Sequence, residues 1–183
     1  MLYTRKGDTG TTKTFGCDQR ISKSSAIAEA LGSLDETNSF LGICKIRAKD
    51  SGLMIGNSRI GDVIHGVQQN LFIAQAELAG AVKTIISGKV KEVEKLVDAI
   101  EKEMPPIKTF FISGGTELAA FFDVARTISR RAERRVVAVV DDGKVKIGKH
   151  TLAYLNRLSS LLYALARLSN HKSGITEQPP DYK

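Results

Sequence analysis

Tryptophan is absent from the 183 residues, aromatic side chains make up 6%, and there are only four prolines and two cysteines. A protein that grips single-stranded nucleic acid stacks bases on aromatic rings among its basic residues. Here the arginines are interleaved with Ala, Val and Ser instead. Cys17 and Cys44 lie 27 positions apart with no CxxC, which reads as reduced thiols and a cytoplasmic location. No apolar stretch approaches the roughly 18 residues of a membrane span. The opening MLYTRKGDTG also lacks the apolar region of a secretory leader.

The composition, 42% hydrophobic and 26% charged, is that of a soluble globular chain, and the length fits a single domain. Lys plus Arg number 27 against 20 Asp plus Glu, a surplus of +7. Without aromatic platforms, that surplus points first to an anionic small molecule and only second to nucleic acid.

Residues 1–23 are polar and glycine-bearing and show no helical period, so they read as an ordered or ligand-ordered loop. Apolar residues at steps of three and four then predict five helices, at about 24–49, 58–86, 89–103, 116–140 and 149–171. The second is expected to run through Val82 and Ile85 to a stop at Ser87 and Gly88, and Pro105 and Pro106 end the third. Phe110, Phe111 and Ile112 are too few for a strand and are expected to form a buried loop. Three helices of this length suit an elongated, all-α, up-and-down bundle of five helices, one of them short.

Chemistry collects on three of these helices. Asp123, Arg126, Arg130, Glu133 and Arg134 follow one another on a single stripe, with Arg126 and Arg130 flanked by Ala125, Ile128 and Ala132. The stripe can be a solvated face of ion pairs, or its guanidinium forks can hold a polyphosphate. Asn156, Ser159, Ser160 and Tyr163 interrupt the leucines of the last helix, and Asp35, Glu36 and Asn38 interrupt the first. The loop Thr4-Arg5-Lys6-Gly7-Asp8-Thr9-Gly10-Thr11-Thr12 offers backbone N–H groups, hydroxyls and cations to phosphate, although it lacks the Walker spacing. By itself the loop is a weak signal and reads first as a solvated, flexible terminus. His65, His150 and His171 are scattered, the single carboxylate-x-x-His is Asp62 with His65, and no GxSxG, HExxH or GxGxxG occurs. A di-metal bundle and a nucleophilic triad therefore lack their residues.

Four segments together resemble the PduO-type ATP:cob(I)alamin adenosyltransferases: YTRKGDTGTT at 3–12, ALGSLDETNSFLG at 30–42, FFISGG at 110–115 followed by ARTISRRAERRVV at 125–137, and YLNRLSSLLYALAR at 154–167. The resemblance covers nearly the whole chain. It implies one domain over residues 1–183, a ferritin-like or cobalamin adenosyltransferase-like five-helix bundle, with a nucleotide-binding loop at 1–23 and a flexible tail at 172–183. It also implies a homotrimer with ATP held between subunits, and a reaction in which cob(I)alamin attacks the 5′ carbon of ATP and displaces triphosphate. Mg²⁺ is expected with the ATP. The implied partners are a flavoprotein-type reductase and a B12-dependent enzyme, with neither membrane nor nucleic acid.

Residue by residue, the resemblance assigns ATP to Thr4, Arg5, Lys6, Gly7, Asp8, Gly10, Thr11, Thr12, Lys23, Arg130, Glu133 and Asn156. It assigns the corrinoid to Phe110, Phe111, Ser160 and Tyr163. Catalysis falls to Arg126, Arg130, Asp35 and Phe110, with Arg126 pairing with Asp35 of an adjacent subunit and Phe110 helping to evict the lower axial ligand. The chain departs from the family pattern at Ser113, where Pro is common, at Asp123, where His is common, and at Ser160, where Asp often stands. A rival reading keeps the pockets but not the chemistry: a non-catalytic trimeric carrier of corrinoid or nucleotide.

Overall fold

The computed structural model describes residues 2–15, 19–143 and 145–183, and within them the five helical periods become five helices. Ser25 opens α1 (Ala26–Asp50) by accepting the Ala28 N–H, and Thr116 opens α4 (Glu117–Asp141) by accepting that of Ala119. Between them lie α2 (Ile60–Leu78) and α3 (Ser87–Glu103), and α5 (Lys149–Lys172) ends the bundle. Helices α1 and α2 pack side by side, as do α1 and α4, α4 and α5, and α3 and α5. The order across the bundle is thus α2, α1, α4, α5, α3. Pairs such as Arg135–Glu29 and Arg47–Glu117 run α1 and α4 antiparallel, while Arg157–Glu94 and Lys172–Glu103 run α3 parallel to α5. Directions alternate along the chain, as an up-and-down bundle requires, but α3 reaches its place against α5 by a crossover.

Helix α5 is the centre of the core. Fourteen of its 24 residues are buried, among them Leu155, Leu158, Leu162, Leu165 and Leu168 of its apolar stripe. Leu34 and Leu41 of α1, Ile64 and Leu71 of α2, Ile100 of α3, and Phe122 and Val136 of α4 pack into the same cluster.

The second helix is shorter than its periodicity predicts. It ends at Leu78 because Gly80 turns to a φ of +94°, with the Gly80 N–H donating to Glu77 O and the Ala81 N–H to Ala76 O. Val82, expected in the core, is fully exposed. Ile85 is buried, but from an extended segment whose N–H donates to the Thr151 hydroxyl. The buried Glu77 carboxylate organises this corner, accepting from Gly148 N–H at 2.7 Å, from the Thr84 hydroxyl at 3.0 Å and from the Thr151 hydroxyl. Periodicity cannot register such a stop, since the apolar spacing continues past the glycine.

Two short antiparallel hairpins complete the fold. One pairs β1 (Thr11–Thr12) with β2 (Ile21–Ser22), and the other pairs β3 (Met54–Ile55) with β4 (Ser58–Arg59). The second occupies the start expected for helix two. Phe110–Ile112 is a loop as expected, but only Phe111 is partly buried; Phe110 is 76% exposed and Ile112 58%. Cys44 is buried at the centre of α1, and Cys17 lies outside the described residues.

Candidate active site

A cavity of about 460 Å³ opens between α3, α4, α5 and the segment linking α3 to α4. One wall is mostly apolar, built from Val97, Met104, Ile107, Phe110 and Phe111 with Glu101 and Ser113 among them, and the other carries Asp123, Arg126, Arg130, Ser159, Ser160 and Tyr163. The helical period explains the second wall. Asp123, Arg126 and Arg130 are successive steps of three and four on α4, and Ser159, Ser160 and Tyr163 face them from α5.

Arg126 is held by neighbours but not saturated. Its guanidinium stands 6.0 Å from the Tyr163 ring centre, and its Nε is 4.0 Å from Asp123 Oδ1, beyond hydrogen-bond length. That Nε is buried on the Asp123 side without a hydrogen-bond partner, so the guanidinium is not saturated within the chain. Arg130 is exposed at the rim and has no ion-pair partner among the described residues. Burial raises the Tyr163 phenol above its ordinary value, with Arg167 beside it pulling the other way.

Next to the rim, Asn156 donates to Glu133 Oε1 at 2.8 Å and accepts from Arg157 at 2.7 Å, which fixes the orientation of its amide between α4 and α5. The N-terminal loop forms a separate cluster. Arg5 adopts a φ of +58° and stacks over Tyr3, while Gly10, at a φ of +77°, accepts the Lys23 N–H on its carbonyl at 2.9 Å. Arg20 closes the loop by donating to Thr11 Oγ1, Thr11 O and Lys6 O. A Cβ on Gly7 would come within 3.1 Å of Lys23 Nζ, so glycine there leaves the ammonium room against the backbone. Thr4, Asp8 and Thr12 belong to the same turn and hairpin, and these bonds close the loop on itself.

The structure therefore brings Arg126, Arg130, Phe110, Phe111, Ser160 and Tyr163 to one cavity, joins Glu133 to Asn156 beside it, and keeps the loop with Lys23 apart. Asp35 is elsewhere. It is exposed on α1 at the edge of an apolar concavity of about 650 Å³ lined by Phe15, Leu31, Phe72, Ala76 and Ala79. Arg126 does not meet it within the chain.

Sequence reasoning missed the ion cluster under the cavity. Arg167, 2% exposed, donates to Asp123 at 2.6 Å and pairs with Glu177 at 2.5 Å. An arginine between Leu165 and Leu168 was the available signal, because a cation on an apolar stripe needs buried counter-charges. Also missed were the pairs that clamp α4 onto α1, Arg131 with Glu36 and Arg135 with Glu29.

Fold and site define a helical bundle that sets guanidinium donors against an aromatic, apolar wall, with a glycine-bearing cationic loop outside. The family model described as cobalamin adenosyltransferase matches residues 2–169, and the chain belongs to that family. It is 38% identical to the corrinoid adenosyltransferase PduO of Citrobacter freundii over 93% of this chain, but spans about half the length of that relative. It is 37% identical to the corrinoid adenosyltransferase of Bacillus subtilis, covering 95% of this chain and 89% of the relative. Among solved structures, a PduO-type ATP:corrinoid adenosyltransferase variant from Lactobacillus reuteri complexed with cobalamin and ATP superposes with a TM-score of 0.86. It is 29% identical, with 98% of this chain and 99% of that one covered. A lysine-for-arginine variant of the same enzyme, complexed with ATP, gives 0.85 at 29% identity, over 98% and 100% of the two chains.

Proposed function

We propose that this protein transfers the 5′-deoxyadenosyl group of ATP to the cobalt of cob(I)alamin, giving adenosylcobalamin and triphosphate. The observation that carries this is the cavity itself, which gathers Arg126 and Arg130, the latter unpaired among the described residues, with a wall bearing Phe110 and Phe111 that suits an apolar macrocycle. The Co(I) electron pair attacks the 5′ carbon, and the C5′–O bond breaks with its electrons leaving on triphosphate. Negative charge thus grows on the leaving group, and cationic donors that grip it more tightly in the transition state lower the barrier.

In this reading the loop from Thr4 to Thr12 and Lys23 close on the phosphates, joined by Arg130. Glu133 and Asn156, already bonded to each other, orient the nucleoside so that its ribose carbon faces the cavity. Phe110 and Phe111, with Ser160 and Tyr163 opposite, hold the corrinoid, exclude water and disfavour a lower axial ligand. No group of three or more His, Cys, Asp and Glu that could hold a metal ion occurs among the described residues. Mg²⁺ accordingly enters with ATP, held chiefly by the phosphates.

The site is completed by a neighbouring copy in a homotrimer. Asp35 has no ion-pair partner within the described chain and lies beside an apolar concavity, an arrangement suited to receiving Arg126 of an adjacent subunit. The deciding experiment incubates the protein with chemically reduced cobalamin, ATP and Mg²⁺. Loss of cob(I)alamin absorbance with a light-sensitive product and stoichiometric triphosphate is expected. Binding of both ligands with no triphosphate in a single turnover would make the protein a carrier and overturn the proposal.

A further inference from the structure

The wall that carries Phe110 and Phe111 is not held by packing. Beside Phe111 lies a second cleft of about 200 Å³, open to solvent and bounded by Ile107, Phe111, Arg167, His171, Ile175 and Glu177. A side chain that borders open clefts on two sides has fewer packing contacts to fix it. Phe110 and Ile112 on either side are mostly exposed.

Polar bonds fix the wall instead, and they come from the segment after α5. The Ile112 N–H donates to Gln178 O at 2.9 Å, and the Ile175 N–H donates to Asn170 O at 3.0 Å. Between those two points Glu177 Oε1 forms an ion pair with Arg167 at 2.5 Å and accepts the Asn170 amide N–H at 2.6 Å. The same Asn170 amide donates to Gly114 O at 2.8 Å, and its oxygen accepts the Thr116 N–H at 2.9 Å. One carboxylate, 14% exposed, therefore ties the tail to the buried Arg167 beneath the cavity and to the residue that anchors the far end of the Phe110–Gly115 loop.

The charges alternate in a row. Glu177 meets Arg167, Arg167 meets Asp123, and Asp123 faces Arg126 at the cavity. Arg167 also stands 5.9 Å from the Phe111 ring centre and 5.2 Å from that of Tyr163, so its position sets two of the cavity's aromatic faces.

We infer that Glu177 is a positioning residue, a latch by which the tail holds the Phe110–Phe111 wall in its ligand-ready place through Arg167 and Asn170. The inference rests on the corrinoid reading of this cavity. It predicts an effect on corrinoid and none on ATP, whose loop and rim residues Glu177 does not touch.

The test compares wild type with Glu177→Ala and Glu177→Gln, using cob(I)alamin and ATP as the probes. In Glu177→Ala without ligand, exchange of the Ile112 amide should quicken about ten- to hundredfold, the factor a charge-assisted hydrogen bond is worth, with core α5 amides unchanged. The KM for cob(I)alamin should rise about tenfold while the KM for ATP stays within about twofold. Glu177→Gln, which keeps an acceptor oxygen without the charge, should lie between. Unchanged Ile112 exchange would overturn the latch, and a freed loop with unaltered corrinoid KM would overturn its positioning role. Parallel rises in both KM values would do the same. Absence of adenosyl product from wild type strikes the proposed reaction instead, and the exchange measurement still judges the latch.

Discussion

Arg130→Ala separates a catalytic arginine from a decorative one, because the structure gives this side chain nothing to do for stability. It is exposed at the cavity rim, with no ion pair among the described residues and no place in the core cluster. Its removal should change unfolding free energy by no more than about 0.5 kcal/mol, the usual range for surface positions without special contacts. The reaction should feel it strongly. A donor aimed at charge that develops on a leaving group is worth about 3–4 kcal/mol, so turnover should fall by about 10²- to 10³-fold. The matched control is Arg47→Ala, which breaks an exposed pair with Glu117 at 3.3 Å. That pair is worth about 0–1 kcal/mol, and its loss should leave turnover unaltered. Initial rates of cob(I)alamin loss under saturating ATP, together with urea unfolding of each variant, make the comparison. Near wild-type turnover in Arg130→Ala, or an equal loss in Arg47→Ala, would refute the reasoning.

Glu77→Ala removes the buried acceptor shared by Gly148, Thr84 and Thr151, and should cost about 3 kcal/mol in urea unfolding, with the denaturant slope unchanged. Gly115→Ala places a Cβ 2.4 Å from the Asn170 side chain at a φ of +97°, and should cost about 1–3 kcal/mol and weaken corrinoid binding, read by titration. Alkaline pH should destabilise the fold. Burial pushes the Cys44 thiol from 9.0 to about 12 and the Tyr154 phenol from 10.0 to about 12. Both stay protonated in the folded chain while the unfolded chain ionises, so stability is full below about pH 9 and falls as pH rises toward 12. Urea midpoints across the alkaline range should show this, and Cys44→Ala should flatten the onset.

The helices were legible wherever a long apolar stripe met a hydroxyl cap or a proline, as at Ser25, Thr116 and Pro105. The end of α2 was not, because Val82 and Ile85 continue the period past Gly80, and only the Glu77 corner reveals why the chain leaves the helix there. The crossover that seats α3 against α5 was equally hidden, since periodicity gives a helix its apolar face but not its neighbour. At the site, the spacing of Arg126, Arg130, Ser160 and Tyr163 announced a shared face, and the cavity gathers them. What spacing could not give was the mate of Asp123. That is Arg167, 44 residues away, with Glu177 of the tail beyond it. The expected flexible tail from 172 carries these bonds, which depend on tertiary juxtaposition and leave no periodic trace.

The connection linking α3 to α4 has a consequence for how such a pocket can diversify. Arg126 and Arg130 sit inside a helix that spans the whole bundle, so repositioning either would disturb the registry of α4 against α1 and α5. Phe110, Ile112 and Ser113 sit on a non-helical connection beside an open cleft, tied by the Ile112 N–H to Gln178 O and by the Asn170 amide to Gly114 O. Side-chain exchanges at the exposed Phe110 and Ile112 alter the shape offered to a ligand without disturbing a helix. The half of the pocket on α4 and α5 is pinned by the architecture, and the half on the connection depends on the few polar bonds that hold it.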